Sequence, residues 1–346
     1  MTNRPRIAVT MGDAAGIGPE IIVKALADPA ATERCIPVVL GEGRALDRAM
    51  EIAGLRLPMR RVARPTEAEG EPGRIELIDH HRLEGTTHRW GEVSAANGAA
   101  AVHYTQEAGR LALAGEVEAM VSAPLNKQAM HAAGHRYEGH TEILGELTGT
   151  KPAMLLLLGP LRVMLVTNHM ALRAVCDYLR VDRVLACLRL ADAALRDLGV
   201  ARPRLAVAGL NPHAGEAGAF GREEEQAIVP AIAAARAQGI DVIGPLPGDT
   251  VFLKARDGAY DLTLALYHDQ GLMAVKLLGF GALVTLLVGL PLIRTSVGHG
   301  TAFDIAGTNR ADHRNLLEAM RVASEVAVLR RGAPAPGIAA DFGRLP

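Results

Sequence analysis

Short apolar segments recur along this chain, and each leads into a glycine-rich or polar turn and then a helical pattern. Residues 6–12 (RIAVTMG) predict a buried strand, and residues 12–26 (GDAAGIGPEIIVKAL) predict a glycine-rich turn opening a helix, with Pro19 in its first turn. Similar apolar segments are IPVVLG, IELID, AMVS, LRVMLV, RLAVAGL and LTLAL. Strands that alternate with helices form mainly parallel sheets, so the sequence predicts an α/β fold.

Length and charge exclude several classes of function. A chain of 346 residues can form one large or two medium domains, and its net charge of −1 gives no basic footprint for nucleic acid. The N-terminus lacks the apolar stretch of a signal peptide, and the longest apolar run, residues 154–166, is too short to cross a bilayer. We therefore expect a cytoplasmic protein that binds neither nucleic acid nor a membrane. The cysteines lack CxxC spacing and are predicted to be buried free thiols: Cys35, Cys176 and Cys187.

Three histidines stand directly after apolar strand patterns. His169 ends VTNH, His213 ends GLNPH, and His268 lies in LYHDQ. Any one of them alone is typical of an ordinary hydrogen-bonded histidine. Since the carboxyl ends of parallel strands meet at one edge of a sheet, however, all three are expected to converge there. Three neutral imidazoles with an open position are typical of a catalytic divalent-metal site, for which Asp249 and Asp269 are candidate partners that orient the rings.

The stretch of residues 267–307 contains two further kinds of binding chemistry. Lys276 and Arg294 are isolated cations between apolar residues, a place that seldom holds a charge unless an anion or a carboxylate meets it. Residues 299–307 (HGTAFDIAG) form a turn-rich segment whose backbone could surround a polar ligand.

This last loop resembles the adenine-side loop of the isocitrate and isopropylmalate dehydrogenases, which bind NAD without a GxGxxG motif. The whole chain resembles one family related to them, the 4-hydroxythreonine-4-phosphate dehydrogenases of vitamin B6 synthesis, from Val9 to about Ala323. The matching blocks include GDAAGIGPE, APLNK, GHTEIL and PLIRTS. The resemblance implies an isocitrate/isopropylmalate dehydrogenase-like fold of two α/β lobes with an active-site cleft between them. We expect discontinuous boundaries, with a cofactor-side lobe of residues 1–125 plus 280–346 and a metal- and substrate-side lobe of residues 126–279.

The family implies NAD(P)-dependent oxidation of a secondary alcohol, with decarboxylation of the keto acid that results. Its substrate is 4-phosphohydroxythreonine and its product is 3-amino-2-oxopropyl phosphate. A bound divalent metal (Zn, Mg, Mn or Co) would act as a Lewis acid on the substrate hydroxyl. The family's metal site draws ligands from two subunits, so a homodimer is implied.

Family roles carry over to this chain by position. The metal ligands are His169, His213 and His268. The substrate-binding residues are His140, Thr141, Lys276, Thr285 and Arg294. The catalytic candidates are Lys276, Asp249 and Asp269. The cofactor-binding residues are Gly300, Thr301, Asp304 and Gly307.

Two departures from the family pattern leave the substrate open. Thr285 stands where the family has Asn, and Gly298 stands where it usually has Asp. Relatives with the same histidines oxidise other diols, namely the cis-dihydrodiol of terephthalate or phosphorylated four-carbon sugar acids. Two rival readings are a two-lobed solute-binding protein and an isocitrate or isopropylmalate dehydrogenase proper, whose metal is bound by an Asp cluster that is not found here.

Overall fold

The alternation of strands and helices seen in the sequence is also the architecture of a computed structural model, which describes residues 4–87 and 89–332. The predicted α/β class is therefore confirmed. The described residues fall into two units, one of residues 4–152 and 284–332 and the other of residues 153–283. The predicted lobe ends at residues 1 and 346 lie outside the described residues.

The strands are, in chain order, β1 Arg6–Thr10, β2 Ile36–Gly41, β3 Met59–Arg61, β4 Ile75–Asp79, β5 Ala119–Ser122, β6 Ala153–Leu158, β7 Leu161–Leu165, β8 Arg204–Ala208, β9 Asp241–Leu246, β10 Leu262–Ala265, β11 Val284–Val288 and β12 Arg294–Val297. The helices are α1 Gly18–Ala27, α2 Ala30–Glu33, α3 Gly43–Ala53, α4 Ala95–Leu113, α5 Lys127–Ala132, α6 His140–Thr148, α7 Leu172–Tyr178, α8 Val181–Asp197, α9 Val229–Arg236, α10 Val251–Arg256, α11 His268–Gly279 and α12 Arg314–Arg330.

The first unit is built on a sheet of strand order β3-β4-β2-β1-β5-β12-β11, in which only the β11–β12 pair is antiparallel. Its central strand β1 is buried almost throughout, as expected when helices cover both faces of a parallel sheet. The helices α5 and α6 pack on α4 through a small apolar cluster of Val102, Met130 and Ile143. Residues 126–152, which the sequence-based division assigned to the other lobe, therefore belong to the first unit.

The second unit is built on a sheet of strand order β6-β7-β10-β8-β9, with an antiparallel β6–β7 hairpin and parallel pairing from β7 onward. Its apolar core lies between this sheet and the helices α10 and α11. The core includes Leu156, Val163, Ala206, Phe252 and Val275.

Two smaller expectations have mixed outcomes. Cys35 and Cys187 are buried free thiols as predicted, but Cys176 is exposed, so the predicted burial is wrong for that residue. Among the described residues, no helix combines the length and apolar character needed to cross a membrane.

Candidate functional site

The three histidines predicted as metal ligands follow three adjacent parallel strands of the second unit. His169 comes after β7, His268 comes after β10 as the first residue of α11, and His213 comes after β8. Because β7, β10 and β8 are neighbours and run in the same direction, these histidines leave the sheet at the same edge.

The structure brings two of these rings together. The ring centroids of His169 and His268 lie 5.4 Å apart, whereas the His213 ring lies beside Phe220 at 6.2 Å. Within the described part of one chain, no three His, Cys, Asp or Glu side chains form a group that could hold a metal ion. The complete set of three ligands therefore stays a prediction.

His268 is oriented by its neighbour in the sequence. Its Nδ1 lies 2.7 Å from Oδ1 of Asp269, a pairing that leaves Nε2 as the ring nitrogen available to a ligand. Imidazoles oriented by carboxylates are the donors that zinc and similar divalent cations prefer. The chemistry of the residues at this edge thus fits the divalent metal that the family implies.

Gln270 ties the strand ends of this edge together, although no sequence motif singled it out. Its Oε1 accepts from the Leu266 N–H and its Nε2 donates to the Gly209 carbonyl, each at 2.7 Å. The first contact lies at the end of β10 and the second at the end of β8, so one side chain fixes the spacing of the segments that carry His268 and His213. The only sequence signal for Gln270 was its place directly after the His-Asp pair.

The other two catalytic candidates lie in the same unit and are both exposed. Asp249 lies in the turn before α10, and Lys276 lies on α11, about two turns after His268. A Cβ atom added to Gly248 would lie 3.0 Å from Nε2 of Gln270, so the Asp249 turn passes close to the strand-end bridge.

The first unit contains a buried cation with an unusual environment. Arg294, at the start of β12, is 4% exposed, and its Nε donates to the Ser122 Oγ of β5 at 3.2 Å. No carboxylate of the described residues pairs with it, and burial lowers the pKa of its guanidinium to about 9. Arg294 therefore stays cationic at neutral pH without a compensating charge, as expected for a group that binds an anion.

His140 lies near Arg294 and shares its character. It is the first residue of α6, and its Nε2 is buried without a hydrogen-bond partner. Burial and then the charge of Arg294 hold the pKa of His140 well below its usual value, so the ring is neutral at pH 7. The next residue, Thr141, is half-buried in the first turn of the same helix. Two of the predicted substrate-binding residues, His140 and Arg294, are thus brought together.

A row of hydroxyl side chains crosses the sheet beside Arg294. Thr10 of β1 pairs with Ser122 of β5, Ser122 pairs with Ser296 of β12, and Ser296 pairs with Thr285 of β11. Residues that pair directly point to the same face of a sheet, and Arg294 shares this face because it lies two residues before Ser296. All four hydroxyl residues are less than a tenth exposed. The sequence analysis identified only Thr285, because the alignment of strands that are far apart in the chain is a tertiary property.

The predicted cofactor loop packs against the glycine-rich turn that follows β1. The Ile17 N–H donates to the Thr301 carbonyl at 3.0 Å, and a Cβ on Gly16 would lie only 2.9 Å from the Thr301 side chain. Gly307 lies under Trp90, where a Cβ would come within 2.5 Å of the indole. Gly300 has open space around it, and Asp304 is exposed. The four predicted cofactor-binding residues thus lie on one well-supported loop.

Asp13 in the same turn was not identified from the sequence. It is fully buried; its Oδ1 accepts from the Ala15 N–H at 2.8 Å, and its Oδ2 has no partner. Burial raises the pKa of its carboxyl to about 6.

Comparison with known proteins agrees with these observations. Residues 33–323 match the family described as pyridoxal phosphate biosynthetic protein PdxA. The chain is 47% identical to the D-threonate 4-phosphate dehydrogenase of Cupriavidus necator, over 94% of this chain and 98% of that protein. The fold is similar to the crystal structure of 4-hydroxythreonine-4-phosphate dehydrogenase from Klebsiella pneumoniae, with a TM-score of 0.87. The two sequences are 46% identical, and the match covers 94% of this chain and 99% of that one.

A more distant match is the terephthalate 1,2-cis-dihydrodiol dehydrogenase of Burkholderia xenovorans, 34% identical with a TM-score of 0.63 over 93% of this chain and 98% of that one. These relatives are all named dehydrogenases, which confirms the predicted enzyme class over a solute-binding protein. The family that was predicted from the sequence blocks is confirmed as well. The chain belongs to the pyridoxal phosphate biosynthetic protein PdxA family.

Proposed function

We propose that this protein is a divalent-metal-dependent and NAD(P)-dependent dehydrogenase that oxidises and decarboxylates a phosphorylated four-carbon hydroxy acid, with D-threonate 4-phosphate as the first candidate. The observation that carries the proposal is the buried, uncompensated Arg294 beside the row of hydroxyls. The relative named for D-threonate 4-phosphate, at 47% identity, supports the same substrate.

The hydroxyl row changes the argument about which anion binds. Thr285 alone offers fewer hydrogen-bond arms than the Asn of the family, and a planar ring carboxylate needs fewer donors than a phosphate does. Thr285 is aligned with Ser296 and Ser122, however, so the sheet supplies further hydroxyls on the same face. A phosphate presents three terminal oxygens and suits many donors, so this set of donors favours a phosphate. The lower identity to the dihydrodiol enzyme, 34%, points the same way.

The reaction follows from the substrate's own connectivity. Hydride leaves C3 for C4 of the nicotinamide, and the C3 hydroxyl loses its proton to become a ketone. The carboxylate then lies β to this ketone, so it departs as CO2 and C2 takes up a proton. The product from D-threonate 4-phosphate would be dihydroxyacetone phosphate.

Separate groups of residues would bind the substrate, the cofactor and the metal. His140, Thr141, Thr285 and Arg294 would hold the anionic end, and residues 299–307 would bind the adenosine half of NAD or NADP. Bound to His169, His213 and His268, a divalent cation (Zn, Mg, Mn or Co) would supply Lewis acidity at the reacting oxygen. Asp269 keeps the His268 ring in its binding orientation, and Asp249 is the candidate for the same task at a second ring. Lys276 is assigned to anion binding and proton transfer.

A homodimer is part of the proposal. Within a single chain, the rings of His169 and His268 lie close together, but among the described residues no three potential ligands form a metal-binding group. Helix α11, which begins at His268, also leaves two large apolar side chains in solvent, Met273 at 61% and Leu277 at 84% exposure. We infer that a second copy covers this helix and completes the metal site. A cytoplasmic location stays a prediction.

The test is a substrate comparison with purified, metal-loaded protein. D-threonate 4-phosphate, 4-phosphohydroxythreonine and terephthalate cis-dihydrodiol are each supplied with NAD and then with NADP, and absorbance at the NADH band is followed. We expect the highest kcat/KM for D-threonate 4-phosphate. The second candidate is 4-phosphohydroxythreonine, since a structure named for that activity is 46% identical. Turnover of the dihydrodiol with neither phosphate accepted would refute the proposal, and His213→Ala is the inactive control.

A further inference from the structure

His213 begins a segment of left-handed backbone. Residues 213–217 all have φ between +44° and +84°, and only Gly215 among them is a glycine. A residue with a Cβ pays roughly 1–2 kcal/mol to adopt this conformation, so four such residues in one turn persist only if surrounding contacts impose it. The position of the His213 ring therefore depends on what holds the turn.

One buried carboxylate binds the chain where it enters the turn. Glu224 is 3% exposed, and its Oε1 accepts from the backbone N–H groups of Leu210 and Asn211, both at 2.8 Å. Its Oε2 accepts from the Asn211 Nδ2 at 2.9 Å. These donors lie immediately before the left-handed segment, so the carboxylate fixes the direction in which the chain enters it.

The same carboxylate also contacts the middle of the turn. A Cβ added to Gly215 would lie 2.7 Å from Oε2 of Glu224, so the turn folds directly onto this side chain. Glu224 is the first residue of a single π-helical turn, Glu224–Ile228, that leads into α9. Turns of this kind are rare and occur often where a side chain must be placed for function.

We propose that Glu224 is a positioning residue for metal binding, which holds the left-handed turn so that the His213 imidazole is presented as a ligand. The inference rests on the proposed role of His213 as a metal ligand. Glu224 does not touch the metal; it acts through the backbone of residues 210–217.

The first test measures Co²⁺ affinity by chelator competition and the Co²⁺ absorption spectrum, in the full-length protein. Glu224→Gln replaces one of the two acceptor oxygens by an NH₂ group and removes the charge, so the side chain can no longer accept from the Asn211 amide, and its remaining oxygen is a weaker acceptor for the two backbone N–H groups. We expect Co²⁺ to bind about 10–100-fold more weakly, the usual effect of removing the group that orients a ligand. Glu223→Gln is the matched control. Glu223 accepts from the Asn211 side chain but not from the backbone N–H groups of Leu210 and Asn211, so this substitution should leave the Co²⁺ affinity unchanged.

A second readout needs no metal. Backbone hydrogen exchange at Leu210 and Asn211 should accelerate in Glu224→Gln and not in Glu223→Gln, because only the first exchanges their charged shared acceptor for a neutral amide oxygen. Adding Ala217→Gly to Glu224→Gln should recover part of the Co²⁺ affinity, since glycine adopts positive φ without the steric cost. If Glu224→Gln does not fold, Gly215→Ala tests the same contact from the other side and should also weaken Co²⁺ binding.

The outcomes separate the two proposals. If wild type and His213→Ala bind Co²⁺ equally, the metal role of His213 fails and the role of Glu224 fails with it. If His213→Ala loses Co²⁺ while Glu224→Gln binds as wild type does, only the positioning role is overturned. A Glu224→Gln protein with a lower Tm but unchanged exchange at Leu210 and Asn211 would also overturn it, because Glu224 would then serve overall stability.

Discussion

Replacing Arg294 by methionine is expected to stabilise the protein and to remove its affinity for phosphate. The guanidinium is 4% exposed, has one hydroxyl partner in Ser122, and pairs with no carboxylate of the described residues. A group in this position lowers the stability of the folded state because it loses its hydration without gaining an opposite charge. Methionine fills a similar volume with apolar atoms.

The size of the effect follows from the burial of the cation. The pKa of Arg294 falls from 12.5 to about 9, and since each pKa unit is about 1.36 kcal/mol, the desolvation costs roughly 5 kcal/mol. A hydrogen bond from a charged group recovers about 2 kcal/mol of this. The remaining cost of about 3 kcal/mol is absent in Arg294→Met, and for a unit of about 200 residues it corresponds to a Tm increase of about 6–12 °C.

The assay is thermal unfolding followed by circular dichroism, without and with inorganic phosphate. Wild type should gain Tm with phosphate because the ligand binds the folded state, whereas Arg294→Met should not. The control is Arg321→Met, because Arg321 is ion-paired with Glu318 and Glu325 and its loss should lower Tm. If Arg294→Met lowers Tm as the control does, or keeps the phosphate-induced increase, then Arg294 is not an uncompensated anion-binding cation.

Three further predictions concern other parts of the molecule. Burial raises the pKa of Asp13 to about 6, so the stability that its neutral form gives is lost as pH rises from 3.8 to about 6. Asp13→Asn cannot ionise, so its free energy of unfolding should exceed that of wild type by an amount that grows by roughly 3 kcal/mol across that window; a constant difference would contradict this. Leu277→Glu should yield a folded monomer in sedimentation that binds metal poorly; a dimer with normal metal content would show that α11 is not the interface. Asp304→Ala should raise the KM for NAD about 10–100-fold and leave that for the phosphorylated acid unchanged, and the reverse pattern would remove residues 299–307 from the cofactor site.

The sequence by itself determined the α/β class, the family and the positions of the candidate metal ligands. These features are local: a buried strand is an uninterrupted apolar segment, and a functional residue at its end is adjacent to it in the chain. His169, His213 and His268 could therefore be identified without knowing which strands are neighbours. The prediction that they share one edge needed only the assumption that their strands run parallel, and β7, β10 and β8 do.

Tertiary structure alone decided the rest, because strand order, register and burial arise from pairing between segments that are far apart in the chain. The hydroxyl row exists only because Thr10, Ser122, Ser296 and Thr285 align across four strands. The local pattern marked Arg294 as an isolated cation, but only the strand pairing shows that it is buried against Ser122 and that no carboxylate of the described residues pairs with it. The left-handed turn at His213 is likewise beyond a local reading, since its residues have positive φ and the chain before it is bound by Glu224, which lies more than ten residues away in the sequence.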